Sequence, residues 1–157
     1  MPIRAVALAI IRRNKDQILV QEIISPDCST TFYRPIGGTI EVGENSQVTL
    51  VREIKEELNQ EVEEPNLVAV IENIFKVEEI GHEIDFIYEA EFKDRTLYNR
   101  EEFEGIEGKE LFKAIWKPIN DFVKTEESIK LVPDGLLEFL TRKESKDQRI
   151  VTHIKTI

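Results

Sequence analysis

Gly38-Thr39-Ile40-Glu41-Val42-Gly43-Glu44-Asn45-Ser46-Gln47-Val48-Thr49-Leu50-Val51-Arg52-Glu53-Ile54-Lys55-Glu56-Glu57 is the stretch whose reading decides the fold of this chain. A glycine turn precedes an acid, and a short amphipathic run then ends in Arg-Glu-x-x-Glu-Glu. Placed on a helix, Val48, Val51, Ile54 and Leu58 gather on one side. Glu53, Glu56 and Glu57 gather roughly opposite, because residues three and four apart are surface neighbours on a helix. Like charges at that spacing repel by a few tenths of a kcal/mol per pair. A hard divalent cation with oxygen ligands turns that repulsion into a binding site.

An acidic helix face alone is more often just a solvated surface, and this chain is rich in glutamate. The longer pattern is harder to dismiss, because it also fixes Gly38 and Glu44 at set offsets. At usual residue frequencies, a chance match over six positions is on the order of one in a thousand or rarer.

Gly38, five residues, Glu44, seven residues and then Arg52-Glu53-Ile54-x-Glu56-Glu57 resembles the Nudix box, the signature of the MutT-type pyrophosphohydrolases. Ile54 is the apolar residue that the box places after Arg-Glu, and Gly37 is the second glycine that usually precedes it. Two positions depart from the pattern. The family's closing glycine is Asn59 here, and asparagine is the next-best residue for the left-handed conformation that ends a helix. The following apolar residue is Gln60, and Val62 is expected to take over its packing role.

The rest of the chain is compatible with that resemblance. At 157 residues it is long enough for one good core and short for two, so a single domain over 1–157 is expected. Hydrophobic residues make up 41% and mean hydropathy is -0.30, which argues against a membrane protein. The first apolar run, residues 5–11, is too short to span a bilayer, and it lacks the cleavage pattern of a signal peptide. Cys28 is the single cysteine, so an internal disulfide is excluded. A plain loop thiol and a cytoplasmic location are the expectation. The net charge of -10 and the lack of a Lys/Arg stripe argue against long nucleic-acid partners. Small phosphate substrates remain open if metal ions bridge the two negative partners.

Residues 5–11 and 18–24 read as strands joined by a polar turn at 12–16, and 25–31 as a loop. A helix is expected from Asn45 or Ser46 to near Asn59, with Asn45 as N-cap. Residues 67–75, 83–92 and 111–116 read as strands, 94–110 as a polar acidic loop, and 133–142 as a short helix with Leu136, Leu137 and Leu140 inward. The tail at 144–157 is left unplaced. This order gives an α/β chain with a mixed sheet between helices. It is similar to the Nudix fold, an α/β/α sandwich with a mixed central sheet.

Hydrolysis of a phosphoanhydride needs a water aimed in line at phosphorus and cations to take up charge on the non-bridging oxygens. The resemblance implies that Glu53, Glu56 and Glu57 hold Mg²⁺ or Mn²⁺, with the Gly37 carbonyl as a further ligand. It implies that Arg52 orients a box glutamate by a charge-assisted hydrogen bond and that Glu44 stabilises the loop–helix unit. Arg34, entering the glycine loop, is a candidate phosphate contact beside an ordinary surface role. Glu101, Glu102 and Glu104 are candidates for a base outside the box, although each alone reads better as a solvated residue. His82 and Glu83 are candidates for lining the cleft. Phe32, Tyr33 and Trp116 could stack on a base, with core packing the better reading of each.

Within the family, some ADP-ribose hydrolases carry a proline, and some dinucleoside polyphosphate hydrolases a tyrosine, about one strand past the box. The corresponding stretch here, Ile74-Phe75-Lys76-Val77, contains neither. The extra motif of coenzyme A hydrolases before the box is also missing. The expected substrate is therefore a small nucleotide or nucleotide-sugar-type molecule, a nucleoside diphosphate linked to another moiety X. A nucleoside triphosphate or oxidised nucleotide, a binding module without catalysis, and a homodimer stay open as alternatives.

Overall fold

A strand buried on both faces lies at the centre of the sheet. In β1 (Arg4–Ile10), Val6, Leu8 and Ile10 turn to one face and Ala7 and Ala9 to the other, and all five are buried. The structure is a computed structural model and describes residues 2–63, 65–124, 127–142 and 151–157. After β1 come β2 (Arg12–Arg13), β3 (Gln17–Ile24), β4 (Thr31–Thr39), α1 (Ser46–Leu58), β5 (Asn66–Lys76) and β6 (Ile80–Glu89). Then follow β7 (Glu102–Glu107), β8 (Glu110–Pro118), α2 (Ile119–Val123), β9 (Ile129–Leu131), α3 (Leu136–Thr141) and β10 (Val151–Lys155).

The main strand order is β10-β5-β6-β1-β4-β3-β8-β7, with β2 on β3 and β9 on β4. The sheet is mixed, since β1 runs parallel to β6 and antiparallel to β4. Besides β9, β4 is shared by two partners along the main order. Its first half pairs with β3, up to Pro35 opposite Val20, and its second half pairs with β1, from Ile36 opposite Ala9. The glycine pair therefore sits at the sheet's centre, just past the handover. One apolar core lies between the sheet and α1, built on Leu50, Ile54, Ile36 and Phe92. The other fills the opposite face under α2 and α3, through Phe122 and Leu136. The chain is thus an α/β/α sandwich, as the order of elements implied.

Both ends of α1 follow local chemistry. The Asn45 side chain accepts a hydrogen bond from the Val48 backbone N–H at 2.9 Å and caps the start. Asn59 closes the helix in the left-handed conformation, φ 53°, and its N–H returns to the Lys55 carbonyl. Val62 is buried in the core beside Phe92, in the packing role expected of it.

Three expectations are corrected. Val48 and Val51 are exposed, and the buried residues of α1 are Thr49, Leu50, Ile54, Glu57 and Leu58. Leu50, Ile54 and Leu58 stand at i, i+4 and i+8 and define the sheet-facing side. Each residue turns the helix by about 100°, so this choice carries Glu57, three residues after Ile54, into the interface rather than opposite it. Second, the polar segment 94–110 is not a loop throughout. It holds a 3₁₀ turn (Arg95–Asn99) and β7, where Phe103 and Gly105 point inward and Glu102 and Glu104 outward. An outer strand with one wet face needs few apolar residues, which hid it in the composition. Third, α2 and β9 occupy a stretch for which no element was expected. Of the unplaced tail, residues 144–150 lie outside the described residues. Residues 151–155 form β10, parallel to β5 with Val151 opposite Val70.

Candidate active site

The loop before α1 and the first turns of the helix are fastened by one arginine. Arg52 donates Nε to Glu44 Oε2 and Nη2 to Glu44 Oε1, both at 2.8 Å, a two-point guanidinium–carboxylate pair. Its Nη1 donates to Glu53 Oε1 at 3.0 Å and to Glu56 Oε2 at 3.2 Å. Glu44 also accepts from the Thr49 hydroxyl and from the Glu41 backbone N–H. The hydrogen bond from Arg52 is the main reason that the Glu44 carboxyl is held down at about 2. Glu44 thus ties loop to helix, and Arg52 hydrogen-bonds both Glu53 and Glu56.

The two glycines are small for different reasons. A Cβ on Gly37 would fall 1.9 Å from the Ala7 backbone oxygen, so the close approach of β4 to β1 needs glycine there. A Cβ on Gly38 would fall 2.5 Å from Glu53 Cδ, so the missing side chain leaves room for that carboxylate. Gly38 therefore lies directly against the acidic helix, while Gly37 lies against β1.

Glu57 is the least satisfied carboxylate on the helix. It is 6% exposed, and its Oε2 has no hydrogen-bond partner. Burial, then the negative charges of Glu53 and Glu107, push its carboxyl up to about 8, while Arg34 pulls the other way. Gly38, Arg52, Glu53, Glu56 and Glu57 share a cleft of about 510 Å³ with Arg34 and the β7–β8 turn at Ile106-Glu107-Gly108. Among the described residues, no three His, Cys, Asp or Glu side chains stand close enough together to hold a metal ion. Glu53 and Glu56 are drawn to Arg52 instead. The donor set nonetheless fits Mg²⁺ or Mn²⁺. It is all oxygen, and the unpartnered, buried Glu57 oxygen would be satisfied by a cation.

The other sequence candidates scatter. Glu101 is exposed near Arg13, and Glu102 pairs with Lys113 at 3.0 Å on the outer strand. Glu104 is exposed on the same strand. None of the three lines the cleft, which takes Glu107 from that segment instead. The Glu107-Gly108 step that turns β7 back into β8 was the signal for it, since Gly108 has φ 61°. Trp116 is core, stacked on Tyr98 and donating its indole N–H to the Arg100 carbonyl. Tyr33 is buried against Phe122. Phe32, Glu83 and Arg34 line a second pocket on the far face of the sheet. His82 lies 3.6 Å from Glu72. Cys28 is exposed in the loop before β4.

A mixed sheet thus lies between helices, with Gly38 packed against the glutamate-bearing helix α1. The family model described as the NUDIX domain matches residues 1–140, and the chain therefore belongs to the Nudix hydrolase family. The solved structures it resembles carry the same fold. A MutT protein from Bacillus halodurans is 19% identical with a TM-score of 0.61, over 97% of this chain and 90% of that one. A MutT NUDIX hydrolase from Burkholderia pseudomallei is 21% identical with a TM-score of 0.57, over 76% and 86%. An ADP-ribose pyrophosphatase from Streptococcus suis is 14% identical with a TM-score of 0.51, over 82% and 96%. No curated protein sequence matches the chain. No helix among the described residues is long and apolar enough to cross a membrane.

Proposed function

We propose that this chain is a metal-dependent pyrophosphohydrolase that cleaves the phosphoanhydride of a nucleoside diphosphate linked to a second moiety. The observation that carries the reading is the pair Glu53 and Glu57 beside Gly38. Glu53 is oriented by Arg52, and Glu57 is buried with an unsatisfied oxygen. Glu53, Glu56 and Glu57, with the Gly37 carbonyl, would hold Mg²⁺ or Mn²⁺. A cation so held neutralises charge on the phosphate oxygens and lowers the pKa of a bound water.

The chain's own groups supply the remainder. Arg52 keeps Glu53 and Glu56 in place through charge-assisted hydrogen bonds, so little reorganisation is needed when substrate arrives. Glu57 would serve as a ligand in its carboxylate form, having given up its proton. Arg34 has no ion pair among the described residues and lies near enough to Glu57 to act on it. Its guanidinium is free to meet a phosphate. Glu107 adds a carboxylate from the opposite wall, the side from which a water can be polarised. The reaction uses water as nucleophile, with no covalent enzyme intermediate, and belongs in the cytoplasm.

The test is a nucleotide panel of ADP-ribose, nucleoside diphosphate sugars, dinucleoside polyphosphates and nucleoside triphosphates, assayed with Mg²⁺ or Mn²⁺. Hydrolysis of a diphosphate-linked member and its loss in EDTA are expected. Single turnover in ¹⁸O-water should place one label in product phosphate. Full activity in excess EDTA, or a trapped phosphoenzyme, would overturn the mechanism.

A further inference from the structure

On the sheet face opposite α1, β5 and β6 carry three polar residues, Asn73, Glu83 and Asp85, beside the apolar Ile71 and Ile87. Asp85 stands opposite Ile71, and Asn73 lies two residues further along the same face. Ile71 and Ile87, on that face, belong to the core. Asp85 is wholly buried, and apart from the neighbouring Glu83 carboxyl neither of its oxygens has a hydrogen-bond partner. Asn73 is 3% exposed, and its Oδ1 also has none. Burying acceptors without partners destabilises a fold, and apolar residues at both positions would avoid that cost. Both residues line a pocket of about 530 Å³ with apolar walls that include Leu8, Phe32, Phe75 and Pro133. Arg34 and Arg4 line this pocket and the carboxylate cleft alike.

We propose that Asp85 and Asn73 are specificity-determining residues that accept hydrogen bonds from a heterocycle edge carrying adjacent imino and amino N–H groups. The inference rests on the reading of the chain as a nucleotide hydrolase. It adds which end of the nucleotide is read, and by which atoms. The pocket combines apolar side chains with a few polar atoms, the composition of a site for a heterocycle. In its carboxylate form Asp85 offers two acceptors, and Asn73 Oδ1 offers a third. A carboxylate takes two parallel N–H donors side by side, the geometry that also serves guanidinium. Among the common bases, guanine alone presents an imino and an amino N–H next to each other. Hypoxanthine lacks the amino group. Adenine places an acceptor beside its amino group, and uracil flanks its one imino group with acceptors.

Charge in the pocket agrees with this. Burial, and then the neighbouring Glu83, raise the Asp85 carboxyl to about 8, while Arg34 and Arg4 oppose them. Two incoming N–H donors favour the carboxylate and relieve its burial. Arg34 would then face the phosphates as they leave the ring's pocket for the box carboxylates.

The experiment is calorimetric binding of GMP, IMP, AMP and UMP to the full chain in EDTA, for wild type, Asp85→Leu and Asp85→Asn. Wild type should bind GMP at least about tenfold more tightly than IMP, because a site built to accept a hydrogen bond penalises the ligand that lacks the donor. Asp85→Leu should bring the two within about twofold and melt no lower than wild type, since it removes a buried carboxyl. Asp85→Asn, nearly isosteric, replaces one acceptor with a donor and should lose most of the same preference. Equal binding of GMP and IMP by wild type, no binding of any of the four, or a preference unchanged in both variants would overturn the inference. Because the measurement excludes metal and turnover, the outcome is separate from that of the hydrolysis panel. A guanine preference lost with Asp85 stands even if no pyrophosphate is cleaved.

Discussion

Glu44 and Glu57 lie thirteen positions apart by their numbering and meet opposite environments. Glu44, in the corner between loop and helix, receives two hydrogen bonds from Arg52, one from Thr49 and one from the Glu41 backbone, and its carboxyl sits at about 2. Glu57, on the sheet side of the same helix, keeps an unpartnered oxygen, and its carboxyl sits at about 8. The first is completed by the protein itself and holds the loop to the helix. The second is left incomplete by the fold, and a ligand is what would complete it. A carboxylate's role is therefore set by whether its partners come from the chain, more than by its place in a sequence motif.

The adjacent glycines offer the sharpest way to break this contrast. Gly37→Ala sets a methyl against the Ala7 backbone, which cannot swing aside. We expect a loss of about 3 kcal/mol or more of stability, seen as a collapse of the denaturant midpoint. Arg52→Lys keeps the charge and removes the fork. It should lower the melting temperature by several degrees and turnover by about tenfold or more, because Glu53 and Glu56 lose their fixed orientation. Gly38→Ala meets only the Glu53 side chain, which can move. It should stay folded, within about 1 kcal/mol of wild type, and the damage should appear in turnover instead. A Gly38→Ala protein as unstable as Gly37→Ala would show that the two glycines are not doing different jobs.

The smallest effect is in pH. Glu57 has a folded pKa raised from an ordinary 4.5 to about 8, so its contribution to stability is complete below the ordinary value and is lost as pH rises toward 8. Asp85, raised to about 8, adds to the same alkaline limb. Glu44, lowered to about 2, contributes above the ordinary carboxylate range and loses its contribution as pH falls toward 2. The melting temperature of the metal-free protein should therefore fall between pH 5 and about 8.5. Glu57→Gln should flatten that limb in part and leave the acid limb unchanged, whereas Glu44→Gln should do the reverse.

Much of the helix was legible in the sequence because its signals are local. Asn45 caps a backbone N–H three residues on, Asn59 takes the left-handed turn, and Arg52 reaches Glu56 one turn away. The buried side of α1 was not legible. Val48-Val51-Ile54-Leu58 and Leu50-Ile54-Leu58 are both acceptable apolar stripes, and only the neighbouring strands decide between them. That choice also moves Glu57 from an exposed face into the core boundary. Glu107, Asn73 and Asp85 were missed for a similar reason. Each comes to its site through strand pairing; Gly108 marks the turn beside Glu107, whereas no local spacing announces Asn73 or Asp85. Glu101, Glu102 and Glu104 were drawn from the right segment. Pairing with β8 nevertheless leaves them pointing away from the cleft and brings the end of the strand to it.

Turnover of Glu57→Gln is the measurement that bears most directly on the central claim. It is compared with wild type on whichever diphosphate-linked nucleotide wild type hydrolyses in Mg²⁺ or Mn²⁺, with the melting temperature of both proteins taken alongside. If Glu57 is a cation ligand, the variant loses about a hundredfold or more in turnover while melting at or above the wild-type temperature, because an unpartnered buried carboxyl has been replaced by a neutral group. Turnover within about threefold of wild type at limiting metal would contradict it, as the incomplete carboxylate would then have no part in the chemistry.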